Sequence, residues 1–158
     1  LSATTIAVVG AAVGGGAIAA TQIVGGGTDY LGPINATYTT SFGGCQRTTR
    51  FTGTLAITLK GDGGETSSAN GRYETLSSTC PNGPQAGNVL NAGFPTGSIT
   101  RSGNTISGSA SETSSTISSV STFNGTLSGD SITGTFTYTE TISGFVGGYS
   151  VQVTLTKR

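Results

Sequence analysis

Apolar and hydroxyl side chains alternate in the last third of the chain, and this alternation constrains the fold more than any other feature. Within Ser131–Ser143 the apolar side chains hold even positions: Ile132, Phe136, Tyr138 and Ile142. Further on, Val151, Val153 and Leu155 alternate with Gln152, Thr154 and Thr156. A period of two places successive side chains on opposite faces of a strand, one packed and one in water. These segments are predicted to be antiparallel strands.

Turn-forming residues separate further strand-like segments. Gly stands beside Asn or Asp at Gly103-Asn104 and Gly129-Asp130, where a tight hairpin needs positive φ, and residues 60–64 form a third such turn. The predicted strands are Ile34–Phe42, Arg47–Lys60, Gly71–Ser77, Gly97–Arg101, Thr105–Ser111, Ser115–Leu127, Ser131–Ser143 and Tyr149–Thr156. Residues 80–95 contain three of the four prolines and no periodicity, so they are predicted to be a long loop.

The overall composition agrees with a β protein. Gly, Ser and Thr make up 76 of the 158 residues, and Thr, Val, Ile, Phe and Tyr supply the strand formers. The regular spacing of branched and aromatic residues argues against disorder. Residues 28–158 are therefore predicted to form one mainly β domain, an antiparallel β-sandwich or a small barrel.

The leading 27 residues form a separate region. Residues 1–24 carry no charge and are followed by the flexible triplet Gly25-Gly26-Gly27. A helix would form one apolar stripe and a G-x-x-x-G pair, whereas the Gly14–Gly16 run and the β-branched residues favour a strand. We favour the helix and keep the strand as the alternative. The residues expected to carry assembly are Ile6, Val8, Val9, Gly10, Val13, Gly14, Ile18, Ile23 and Val24.

The chain has two cysteines, Cys45 and Cys80, each beside turn-forming residues. An even pair in an exported protein indicates a disulfide, and two free thiols in a cytosolic protein are the alternative. Without histidine, two thiolates make a poor zinc site.

The residue types present exclude several kinds of chemistry. The absence of His removes the usual general base and the commonest metal ligand. Seven scattered basic residues balanced by seven acidic ones provide no stripe for a nucleic acid. Asp62 and Glu65 could bind a calcium ion, and Arg47 and Arg50 could bind an anion. We expect instead that all four side chains are solvated. No catalytic, cofactor-binding or metal-binding residue is predicted, and the protein is not expected to be an enzyme.

Two triplets match the acceptor for N-linked glycans, at Asn35 and at Asn124. Such triplets arise by chance in a chain rich in Thr, so they are candidates only. A hydroxyl-rich, weakly charged surface is typical of proteins outside the cell, and an extracellular or cell-surface location is expected.

The layout resembles that of archaeal-type and type IV-like pilins. An apolar N-terminus beginning Leu1-Ser2 is followed by a glycine hinge and a Thr/Ser/Gly-rich β domain. The resemblance implies N-terminal helices bundled in a filament core with β domains outside. Thr5 stands where bacterial type IV pilins have a glutamate, and the glycine triplet at 14–16 is unusual in a pilin helix. The other filament design, in which an N-terminal strand completes the sheet of the next subunit, therefore stays open.

The expected function is that of a structural subunit of a prokaryotic extracellular filament. Identical subunits would polymerise through residues 1–24, which could contact a membrane before assembly. The alternative is an exported β domain that residues 1–24 anchor in a membrane and that binds cell-surface carbohydrate.

Overall fold

The structure, a computed structural model, describes residues 27–61, 65–94, 97–113, 117–142 and 145–158. The described part of the chain contains strands and no helix, which confirms the prediction of a mainly β domain. The strands are β1 (Thr28–Phe42), β2 (Cys45–Leu59), β3 (Thr66–Ser78), β4 (Val89–Gly93), β5 (Gly97–Ser102), β6 (Thr105–Thr113), β7 (Ile117–Ser128), β8 (Ser131–Ile142) and β9 (Phe145–Lys157).

All strands belong to one antiparallel sheet that closes on itself. The sheet order is β2-β1-β9-β8-β7-β6-β5-β3-β4, and β2 also pairs with β3. Following the pairings from β1 through β2, β3 and β5 to β9 therefore leads back to β1. β4 and β5 lie one after the other along the same edge of β3. Side chains at alternate positions consequently face a common interior.

The predicted alternation is visible in the burial of the strands. Along β1, even positions such as Ile34 and Tyr38 are buried, whereas Asn35 and Thr37 between them are exposed. The same alternation runs along β8 from Ile132 to Glu140. The hairpins predicted at Gly103-Asn104 and Gly129-Asp130 join β5 to β6 and β7 to β8, and both glycines have positive φ.

The main stretches of sheet outside the predicted strands are the first residues of β1, β3 and β9, and all of β4. β1 begins at Thr28 and passes through Pro33, although a proline cannot donate to a sheet ladder. Within the described residues β1 pairs with β9 only near its two ends, so Pro33 lies where β2 is the paired neighbour. β4 lies inside the predicted loop 80–95, where pairing with β3 orders it.

The apolar core fills the interior of the ring. Phe51 is fully buried, and its ring covers Gly53 and Gly71, which are opposite each other on β2 and β3. A methyl group added at Gly53 or Gly71 would lie 2.7 or 2.6 Å from Phe51 Cζ, so neither position accepts a larger residue without a shift. The same arrangement recurs at Phe123, Gly125 and Gly134.

The ring has two ends, which differ in what they carry. The β1–β2, β3–β4, β6–β7 and β8–β9 connections lie at one end with Cys45, and we call it the disulfide end. The β2–β3, β5–β6 and β7–β8 connections lie at the opposite end. Because β1 begins there, residues 1–26 join the domain at this end, which we call the N-terminal end.

Candidate assembly interface

A disulfide joins two hairpins at the disulfide end. Cys45 begins β2 and Cys80 follows β3, and their sulfur atoms are bonded with a Cα–Cα distance of 4.9 Å. Beside this bond, the Thr79 N–H donates to the Gln46 carbonyl at 2.8 Å, and the Gln46 N–H donates to Thr79 Oγ1 at 2.8 Å. The predicted disulfide is thus present, and it holds the β3–β4 hairpin (residues 75–90) against the β1–β2 hairpin.

The tip of the β3–β4 hairpin is also ordered from within. The Gln85 side chain donates from Nε2 to the carbonyls of Cys80 and Gly83, both at 3.1 Å. At the base, the Thr75 N–H donates to the Asn88 carbonyl at 2.9 Å. Pro81 and Pro84 further restrict this backbone. The hairpin therefore presents its side chains on a pre-organised support.

Large apolar side chains are exposed near this end of the ring and on the adjoining wall. Val146, near the start of β9, is 63% exposed. Val89 and Leu90 are 56% and 49% exposed and lie further along the wall, where they pair with Glu74 and Tyr73 of β3. Leu76 is also exposed, and it is the extra residue of a β-bulge, because Thr48 and Thr49 pair with Ser77 and Thr75. Val120, on β7, is a fifth exposed apolar residue. Among the described residues, the large apolar side chains exposed within three positions of the strand ends at the disulfide end are those of Leu76, Val120 and Val146.

The charged side chains are distributed unequally between the two ends. Seven of them lie within two residues of the strand ends at the N-terminal end: Asp29, Lys60, Glu65, Arg101, Asp130, Lys157 and Arg158. At the disulfide end the corresponding charged residues are Arg47, Glu112 and Glu140, which are half-buried or buried. The strand ends at the disulfide end therefore carry few exposed charges, and the Arg50–Glu74 ion pair lies further along the wall, beside Val89.

The interior near the disulfide end is polar. Glu140 on β8 is buried and accepts hydrogen bonds from Tyr138 Oη to Oε2 at 2.9 Å and from Tyr38 Oη to Oε1 at 3.4 Å. Burial raises the pKa of Glu140, while the two tyrosine hydroxyls and the charge of Arg47 act in the opposite direction. The carboxyl thus belongs to a closed hydrogen-bonded cluster.

Aromatic rings fill the space around this cluster. The ring centroid of Tyr149 lies 5.4 Å from that of Tyr38 and 5.6 Å from that of Tyr138, and the Phe94 centroid lies 4.8 Å from that of Tyr138. Burial raises the pKa of Tyr38, Tyr73, Tyr138 and Tyr149. The hydroxyls of Tyr73 and Tyr149 are buried near each other. Neither has a partner with hydrogen-bond geometry among the described residues. Packing of this density indicates a structural cluster rather than a ligand chamber.

The buried carboxyl predicts a pH dependence of stability. Because the pKa of Glu140 is raised above its ordinary value of 4.5 in the folded protein, its stabilising contribution is fully present below pH 4.5. That contribution is lost as the pH rises through the raised pKa. Glu140→Gln, which has no proton to lose, should flatten this fall in the free energy of unfolding. Urea denaturation of both proteins across this pH range measures the effect, and identical profiles would contradict it.

A shallow pocket lies at the N-terminal end, but its charged groups have local roles. Glu65 is buried and accepts a hydrogen bond from the Gly61 N–H to Oε1 at 3.2 Å. Arg101 donates from Nε to the Gly103 carbonyl at 3.0 Å. Both side chains therefore brace neighbouring turns. Within the described residues no three His, Cys, Asp or Glu side chains form a group that could hold a metal ion.

The residues singled out from the sequence fall in different places. The predicted assembly residues, from Ile6 to Val24, lie outside the described residues, and so does Asp62. Asn35 and Asn124 are exposed near the middle of β1 and β7, on the side wall between the two ends. Arg50 is not a free cation, because it forms a 2.6 Å ion pair with Glu74.

Sequence reasoning missed the exposed apolar residues of the β3–β4 hairpin. Leu76 falls in a predicted strand, whereas Val89 and Leu90 fall in the predicted loop 80–95, and none of the three has a predicted role. A signal was present nonetheless, because no Asp, Glu, Lys or Arg occurs between Thr75 and Thr100. Only residues 1–28 form a longer charge-free run.

Comparison with protein-family models, with curated proteins and with solved structures returned no significant match. Among the described residues there is no helix long and apolar enough to cross a membrane.

Proposed function

We propose that this protein is a structural subunit of an extracellular filament that assembles head to tail through residues 1–24. One observation carries the proposal: the uncharged leading segment joins the end of the ring where charged side chains cluster, whereas Leu76, Val120 and Val146 are exposed near the strand ends at the opposite end. A segment attached at one end and an apolar surface at the other could form a head-to-tail contact between two copies.

A contact between two different surfaces does not close on itself. When the tail of one copy meets the disulfide end of the next, every added copy leaves one tail and one disulfide end unused. Repetition of such a heterologous contact produces an open polymer. Burial of apolar surface, at roughly 25 cal/mol per Å², is the driving force.

The domain has features that suit the outer surface of such a polymer. A disulfide is typical of an oxidising compartment, which supports an extracellular location. We take the closed ring of strands to be a small barrel, because strand pairing returns to its start within one sheet. A closed ring hides most strand edges and so suppresses unwanted sheet pairing along the sides.

Deletion of residues 1–24 tests the proposed function. The full-length chain should form filaments visible by electron microscopy and removed from solution by ultracentrifugation. The deletion variant keeps Gly25 to Gly27 and all nine strands, so it should be a soluble monomer with the same circular dichroism spectrum. A length-matched variant, Val9→Asp with Val13→Asp, should also lose filaments, because it places charge in the apolar segment.

The opposite outcomes are equally specific. Filaments formed by the deletion variant would show that another surface drives assembly. A full-length protein that stays monodisperse in plain buffer would overturn the proposal. A full-length protein that binds lipid vesicles as a monomer would instead favour the membrane-anchored alternative.

A further inference from the structure

We propose that Asn82, at the tip of the β3–β4 hairpin, is a site of spontaneous deamidation, which adds negative charge to the disulfide end as the protein ages. The inference goes beyond the proposed function, because it requires only the folded domain and water. It rests on a comparison within the chain, since the sequence contains three Asn-Gly dipeptides: Asn70-Gly71, Asn82-Gly83 and Asn124-Gly125.

Deamidation of asparagine, a thermolabile residue, joins two atoms of neighbouring residues. The backbone nitrogen of the following residue attacks the side-chain carbonyl carbon and forms a C–N bond. The proton of that backbone N–H leaves with the side-chain nitrogen as ammonia. Water then opens the resulting succinimide ring at one of its two carbonyl carbons, which gives aspartate or isoaspartate. Glycine is the most favourable following residue, because it has no side chain beside the attacking nitrogen and its backbone rotates freely.

Two of the three dipeptides are closed to this reaction by the sheet. Asn70-Gly71 lies on β3 and is paired with both β2 and β4. Asn124-Gly125 lies on β7 and is paired with both β6 and β8. In a strand with a neighbour on each side, the backbone N–H belongs to one of the two ladders. Ring closure there requires local opening of the sheet, and the free energy of such opening approaches that of global unfolding.

The third dipeptide lies outside the ladders. Asn82 and Gly83 belong to the connection between β3 and β4, and both are exposed. Within the described residues, neither the Asn82 carboxamide nor the Gly83 N–H has a hydrogen-bond partner. Gln85 orders the tip through the carbonyls of Cys80 and Gly83, so its hydrogen bonds do not hold the peptide group that must react.

The turn itself requires the residue that permits the attack. Gly83 has a φ of 100°, which lies in the region that favours glycine over residues with a side chain. A bulkier residue after Asn82 would slow ring closure, but it would strain this backbone. The hairpin thus combines an exposed asparagine with an obligatory glycine.

The reaction changes the charge of a neutral part of the molecule. The formal net charge of the chain is zero at pH 7, and no Asp, Glu, Lys or Arg occurs between Thr75 and Thr100. Each deamidation at Asn82 places one negative charge in this run. The isoaspartate product also adds a carbon atom to the main chain, close to the carbonyls that Gln85 binds.

Peptide mapping of the folded, oxidised full-length protein tests the inference. The protein is incubated at mildly alkaline pH, and mass spectrometry follows conversion at the three asparagines. Asn82 should react at least about tenfold faster than Asn70 and Asn124, a difference in barrier of about 1.4 kcal/mol. The same chain unfolded in urea is the matched control, and there the three sites should react at similar rates, because the dipeptide is the same.

Isoelectric focusing gives a second measurement that does not depend on digestion. The folded protein should accumulate a species with one additional negative charge, and Asn82→Ser should abolish this first species. Equal rates at the three sites of the folded protein would overturn the inference. An Asn82 that stays intact in the folded protein while the unfolded chain reacts would also overturn it. Neither result depends on whether the protein forms filaments.

Discussion

Replacing Phe51 with alanine is expected to lower the free energy of unfolding by about 3–5 kcal/mol. Phe51 is fully buried, and its ring lies 4.8 Å from Tyr73, 5.4 Å from Phe94 and 5.8 Å from Tyr149, measured between centroids. The backbones of Gly53 and Gly71 lie against the ring, and neither residue has a side chain to fill the space. The cavity would therefore remain, and its cost would add to the lost burial.

Urea denaturation followed by far-ultraviolet circular dichroism measures this change. Thr52→Ala is the matched control, because Thr52 is the next residue of β2 and is exposed. The control should shift the free energy of unfolding by less than about 0.5 kcal/mol. A Phe51→Ala variant as stable as the Thr52→Ala variant would show that the interior relaxes around the missing ring.

Removal of the disulfide should lower the free energy of unfolding by roughly 3–4 kcal/mol in the chain-entropy account. Cys45 and Cys80 are 35 residues apart, and the bond restricts the unfolded chain over that length. The double variant Cys45→Ala, Cys80→Ala is the appropriate change, because Cys80 is buried and alanine introduces no polar group there. Denaturation of the oxidised protein and of the double variant provides the comparison.

Reductant supplies the control for the disulfide prediction. Reduced wild-type protein should unfold at about the same urea concentration as the double variant, which should itself be insensitive to reductant. Equal stability of oxidised and reduced wild type would contradict the prediction.

Several strands could be predicted because their signals are local. The alternation in Ser131–Ser143 and the turn at Gly129-Asp130 depend on residues close together in the chain, and both correspond to observed structure. β4 could not be predicted, because Val89–Gly93 has no alternation of its own and is ordered by the register with β3. The start of β1 at Thr28 was missed because Gly32-Pro33 has the composition of a turn.

The candidate assembly interface was predicted only in part. The sequence indicated an uncharged segment in residues 1–24 and a bond between Cys45 and Cys80. It could not indicate that Leu76, Val120 and Val146 lie near the same end of the ring, because β3, β7 and β9 are distant in the chain. The sequence also could not indicate that Glu140 is buried, because its partner Tyr38 lies on β1, far away in the chain.

The sequence by itself determined the β class, the hairpin turns and the division between an uncharged leading segment and a hydroxyl-rich domain. Alternation, turn chemistry and charge are properties of neighbouring residues, and therefore they can be read from a linear chain. Only the tertiary structure decided that the sheet returns on itself and that its two ends differ in charge and exposure. Closure depends on pairing β1 with β9. Tyr30 pairs with Lys157 although the two residues lie near opposite ends of the domain's sequence, and local preferences cannot specify such a contact.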